Sequence, residues 1–188
     1  GLATKASTAH AATHAIGGSD PLPRAPGSSP MVSGYYIGPT GIRGTAALAA
    51  STEYALPIWI GETGTLDRIA AEIITAGTAG TVLRLGIRGS TSADRPGTLL
   101  LDAGTVAADA TANVELTISQ AISAAGIYWL TATVQSAGGT LPVVRVAQQD
   151  RAQVYSSGLA QALGSSNSAG YITAATITGA LPSTYTVT

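Results

Sequence analysis

Two histidines four residues apart, His10 and His14, are the residues in this chain whose type and spacing come closest to a metal site. On a helix that spacing puts both imidazoles on one face, and neutral imidazole suits zinc, copper, nickel or iron. Two ligands from a single chain make a poor site. Around a three-fold axis each histidine would appear three times, so the pair is a candidate metal site of a trimer. The competing reading is that both simply pack or hydrogen-bond. No Glu lies between them, so the helical zinc-hydrolase pattern is absent.

Other chemistry is thinly supported. Serines are many, but no Gly-x-Ser-x-Gly elbow occurs and both histidines sit far from the strand-rich part of the chain, which leaves a serine triad without its base. Absence of Cys excludes thiol catalysis, a thiolate zinc site and a disulfide scaffold together. The ten acidic residues are spread singly. Glu53 with Glu62, or Asp102 with Glu115, could form a facing carboxylate pair of the glycosidase kind, but solvated charges at turns and strand ends are the simpler expectation. No phosphate loop, dinucleotide fingerprint or calcium loop is present. The chain therefore reads as non-enzymatic, with no catalytic residue assigned.

Aromatic rings are the remaining candidates, because a ring stacks on the apolar face of a sugar. Tyr35 and Tyr36 are adjacent, as are Tyr128 and Trp129. In a strand, neighbours point to opposite faces, so one ring of each pair is expected in the core and the other at least partly exposed. These four are the candidate glycan contacts, set against plain core and boundary packing.

What must position these residues is a β framework preceded by something different. Residues 1–30 hold both histidines and four of the nine prolines (Pro21, Pro23, Pro26, Pro30); the prolines forbid a helix over 21–30 and disfavour a packed strand there, while Leu2 to His14 could form a short helix or an extended arm. Gly17, Gly18, Ser19, Asp20 and Pro21 form a turn signal within it. With few large apolar groups, this segment is expected to be an extended attachment or oligomerisation arm, ordered only by packing on its own body or on neighbours. From residue 31 to 188 short β-type runs alternate with Gly, Pro, Asp and Asn. Leu83, Leu85 and Ile87 alternate with Arg84 and Arg88, which predicts a strand with the aliphatics inward and both arginines outward. Leu56, Ile58 and Ile60 share a face, as do Ile69, Ala71 and Ile73, and Val114 to Ile118 repeats the period of two. Residues 99–101, 128–134, 143–146, 171–177 and 185–187 are further expected strands, and 151–170 is expected to be mainly loop. The Ala-rich run from 103 to 112 is broken by Gly104, Thr105, Val106 and Thr111, all poorer helix formers than Ala. The expected fold is all-β, an antiparallel jelly-roll-like sandwich behind an N-terminal arm.

Composition narrows the partners. Only 10% of the residues are charged and the net charge is −1, with no cluster of Lys and Arg. That gives no electrostatic footprint for nucleic acid, and no segment approaches the length of apolar residues needed for membrane insertion. The first residues show no apolar signal core. Sparse charge leaves strand edges poorly protected, which points to a chain that works in company.

The segment Thr8-Ala9-His10-Ala11-Ala12-Thr13-His14-Ala15-Ile16-Gly17-Gly18-Ser19-Asp20-Pro21-Leu22 resembles the His-Ala-x-Thr-His-x-x-Gly-Gly-Ser-Asp-Pro-Leu linker of bacteriophage tail-fibre and minor tail proteins. Three body segments, 83–87, 96–104 and 125–130, are similar in order to a sandwich domain of phage structural proteins. The resemblance implies a virion protein, commonly trimeric, in contact with other phage proteins and with the host surface, a glycan included; it implies no catalytic residue. A head fibre or capsid decoration protein, and a carbohydrate-binding module, are the alternatives.

Overall fold

In the computed structural model, the structure describes residues 36–38, 42–135, 138–148, 171–172 and 176–185. The His10–His14 pair, Tyr35, the turn from Gly17 to Pro21, the expected arm and the expected loop at 151–170 therefore lie outside the described residues.

Among the described residues nine strands follow in chain order: β1 (Ile42–Ala47), β2 (Glu53–Ile60), β3 (Gly64–Thr75), β4 (Val82–Ser90), β5 (Pro96–Ala107), β6 (Ala112–Ile122), β7 (Gly126–Gln135), β8 (Val143–Gln148) and β9 (Tyr171–Ile172). They form two antiparallel sheets, β1-β8-β3-β6 and β5-β4-β7-β2-β9. Set β9 aside and the eight long strands have the order of a jelly roll. The chain passes from one sheet to the other at every connection except the β4–β5 hairpin, and the two Greek keys of that fold result. The fold is thus an all-β sandwich.

Period-two alternation builds the core. Leu83, Leu85 and Ile87 of β4 meet Ile69 and Ile73 of β3, Val134 of β7 and Val144 of β8 in one buried cluster. Ile58 and Ile60 pack with Ile122 in a second, flanked by Tyr128 and Leu130. With no Phe in the chain, aliphatic side chains fill nearly all of this interior. Each such side chain contributes about 1.5–3 kcal/mol when fully buried.

Irregularities adjust the alternation. The β3–β6 register shifts between Leu66 and Arg68, so Leu66 and Ile69, three apart, both face inward. On β5 a shift falls where Gly104 has a φ of +94°, a left-handed conformation that costs glycine little. That bulge keeps Ala103 and Val106 both on the core side. The run from 103 to 112 is strand, bend and strand, with no helix.

The fold departs from the alternation pattern at several places. β1 pairs with β8 from Ile42 to Ala47, although the sequence there, Ile-Arg-Gly-Thr-Ala-Ala, shows little alternation. Of the strand expected over 171–177, Tyr171–Ile172 is the two-residue β9 on β2, and 173–175 lie outside the described residues. Residues 176–185 form no strand; of the strand expected over 185–187 only Tyr185 is described. They run as an irregular strap across the outer face of the five-stranded sheet, held by backbone and side-chain bonds to four of its strands or their flanks.

Candidate functional site

The two outer faces of the sandwich differ, and the strap is the reason. Hydrogen bonds to the sheet tie its ten residues down. The Ile177 N–H donates to Ser51 O at 2.8 Å and the Leu99 N–H to Ser183 O at 3.0 Å. The Gln135 amide donates to Gly179 O at 2.7 Å, and the Leu181 N–H to Asp102 Oδ2 at 3.1 Å. Arg88 donates to Pro182 O at 2.7 Å, and the Tyr185 hydroxyl to Glu53 O at 3.3 Å. Ile177 and Leu181 are buried. Gly86 lies beneath, where a Cβ would collide with the Leu181 side chain and come within 2.8 Å of Leu101 O.

Under the strap sits a buried ion pair. Arg88 points outward from the sheet, as its place in the alternation requires, yet it is 0% exposed, and so is Glu53. Its Nε and Nη2 donate to the two Glu53 oxygens at 2.7 and 2.9 Å. Nη1 donates to Gly97 O at 3.2 Å, and the guanidinium lies 5.1 Å from the centre of the Tyr185 ring. Burial and the nearby Glu53 charge push the Tyr185 hydroxyl well above its ordinary range. The solvated roles expected for Arg88 and Glu53 are thereby overturned: the pairing needed a covering segment that strand periodicity does not reveal.

Asp102 is held in the same layer. Arg84 Nε and Nη2 reach its carboxylate at 2.8–3.1 Å, and the Gly104 N–H donates to it at 3.2 Å. Burial pushes the Asp102 carboxyl up, but the bonds from Arg84, Leu181 and Gly104 outweigh it and hold the group below its ordinary value. Thr131 and Thr133 of β7 are buried on this face too, and their hydroxyls find no hydrogen-bond partner among the described residues.

No facing carboxylate pair emerges from the two combinations considered. Asp102 is on the outer face of one sheet, paired with Arg84, while Glu115 is on the outer face of the other, paired with Arg68. Glu53 opens β2 and Glu62 lies beyond its far end, with the length of the strand, roughly 23 Å at strand rise, between them.

The aromatic candidates also separate. Tyr128 points into the sandwich and its hydroxyl donates to Ala124 O at 2.8 Å. Trp129 points outward, as its neighbour's place requires, but is only 3% exposed, with its indole N–H directed at Ser90 Oγ at 3.3 Å. The expected exposed member of that pair is therefore covered. Tyr36 is 61% exposed and Trp59 46%. Trp59, on β2, belongs to the strapped sheet. Tyr36 stands by the opposite face.

That opposite face, formed by β1-β8-β3-β6, carries a second polar group. The Tyr36 hydroxyl donates to Glu115 Oε2 at 2.6 Å, and Arg68 Nη1 donates to Glu115 Oε1 at 2.6 Å. The bond to Glu115 raises the Tyr36 hydroxyl above its ordinary value. Arg145 makes a two-pronged contact with Glu72 at 3.0 and 3.1 Å nearby on the same sheet. Sequence reasoning singled out Tyr36 and Glu115 separately; only the β3–β6 register, with Ala70 opposite Glu115 and Arg68 opposite Thr117, brings Arg68 to them.

Among the described residues no group of three or more His, Cys, Asp or Glu is placed to hold a metal ion, and no helix is long and apolar enough to cross a membrane. Comparisons with protein-family models, with curated proteins and with solved structures find no match for this chain.

Proposed function

We propose that the chain is a structural component of a bacteriophage virion, a tail-fibre or minor tail protein, built as a trimer with residues 1–30 as the attachment arm. The observation that carries the reading is the resemblance of residues 8–22 to the phage linker, placed ahead of a jelly-roll body. Double-sheet jelly rolls serve repeatedly as viral capsid and lectin domains, although a fold alone does not assign a function. The sparse charge of the chain suits permanent association, since interface cores are depleted of charged residues. In this reading the arm orders on the particle, the body extends from it, and the work is assembly together with contact to the host surface. Glu53, Asp102 and Glu115 each hold an arginine.

Light scattering on the purified chain, with and without residues 1–30, tests the assembly. A trimer for the full chain is the expected result. A monodisperse monomer in both forms contradicts the trimeric fibre.

A further inference from the structure

The strap crosses one broad face of the sandwich, and the face of β1-β8-β3-β6 carries the most exposed ring among the described residues. Tyr36 is 61% exposed, yet its hydroxyl is anchored on Glu115, which Arg68 holds from the other side. An exposed ring fixed in this way loses little conformational entropy when something stacks on it. Asn113 and Thr117 flank Glu115 two positions away on β6 and are exposed on the same face. Their side chains make no hydrogen bond among the described residues, so an amide and a hydroxyl are open on the face that carries Glu115. Ala70, directly opposite Glu115, keeps the ground between these groups low.

We propose that Tyr36, Arg68, Asn113, Glu115 and Thr117 form a binding site for a neutral sugar, with the Tyr36 ring stacked on the apolar face of a pyranose. The proposal rests on the host-surface reading above and supplies its ligand class. The chemistry is that of small apolar and polar surfaces presented together. The ring takes the C–H face, while the planar carboxylate, amide and guanidinium edges exchange hydrogen bonds with adjacent hydroxyls. The charge of the site selects a neutral ligand. Arg68 is matched by Glu115 and Arg145 by Glu72, and Asp67 adds negative potential near Tyr36. Around Glu115, then, the described residues offer no unmatched cation to a uronate, sialate or phosphate.

The test uses the full chain on an array of neutral hexose and N-acetylhexosamine oligosaccharides printed beside sialylated and uronic-acid ones. Binding to neutral oligosaccharides is expected. Tyr36→Ala should weaken it by about tenfold or more, the loss typical of a stacked aromatic anchor, and Asn113→Ala should weaken it to a smaller degree. Trp59→Ala, on the other sheet, should leave binding unchanged. Both Tyr36 and Asn113 are exposed, so thermal unfolding of the variants should match the parent. No binding to neutral oligosaccharides, a preference for acidic ones, or binding indifferent to Tyr36→Ala each overturns the proposal. Those failures leave the virion reading untouched, because whether the chain is found on particles is measured separately.

Discussion

Replacing Arg88 by Met removes the side chain that joins β4, β2, β5 and the strap. Four hydrogen bonds go with it: two to Glu53, one to Gly97 O and one to Pro182 O. The larger consequence is that the Glu53 carboxylate, 0% exposed, loses its only cation within bonding distance among the described residues. Breaking a buried pair from one side typically costs about 3–5 kcal/mol, against about 0–1 kcal/mol for a surface pair. A chain of this length shifts its melting temperature by about 2–4 °C per kcal/mol, so Arg88→Met should melt about 6–20 °C below the parent. The double variant Glu53→Leu/Arg88→Met removes both charges together and should recover most of the loss, since a buried pair exchanged for apolar side chains is often neutral or stabilising. Urea unfolding followed by tryptophan fluorescence reads both, because Trp129 is the register partner of Arg88. If Arg88→Met costs less than about 1 kcal/mol, or if the double variant is no better than the single one, the buried-pair reasoning is refuted.

Three further outcomes follow from the same layer. Leu181→Ala should destabilise the protein by about 2–5 kcal/mol by emptying a buried position over Gly86, measured by the same urea titration. Gly86→Val should force Leu181 off the sheet, and protease digestion should then cut within 176–185 in the variant and leave the parent intact there. Asp102 has a folded-state pKa below its unfolded value. Its contribution is therefore full above the ordinary carboxylate value of about 3.9 and is lost as pH falls through the lower folded value. Asp102→Asn should flatten that acid limb of the stability curve, and a curve as steep as the parent's would show that the carboxylate is not responsible.

Where the sequence alternates cleanly, the fold was legible. The runs at 56–60, 69–73, 83–87 and 114–118 became inner faces of β2, β3, β4 and β6, because a half-buried strand has no other way to sort its side chains. β1 was not legible: Gly44, Thr45, Ala46 and Ala47 carry no strong apolar rhythm, and β1 exists through its pairing with β8. The strap was missed for a related reason. Its hold on the body lies in backbone carbonyls and N–H groups, which are the same for every residue type. Arg88 was then placed on the correct face of its strand but given the wrong solvent environment, and of the adjacent Tyr128 and Trp129 the outward ring, Trp129, is covered where a partly exposed one was expected. Tyr36 and Glu115 carried a visible chemical signal, whereas their meeting across 79 positions depends on a crossing between strands that single-chain periodicity does not encode.

The central claim is that this chain is part of a phage particle. Antibody raised against the body and viewed by electron microscopy on purified particles of a phage whose genome carries this sequence tests that claim most directly. The account predicts label on the tail or its fibres, at sites of three-fold multiplicity. Label on the head surface would move the chain to the head-fibre or decoration role, and intact particles with no label and no peptide of this chain by mass spectrometry would contradict the virion reading outright.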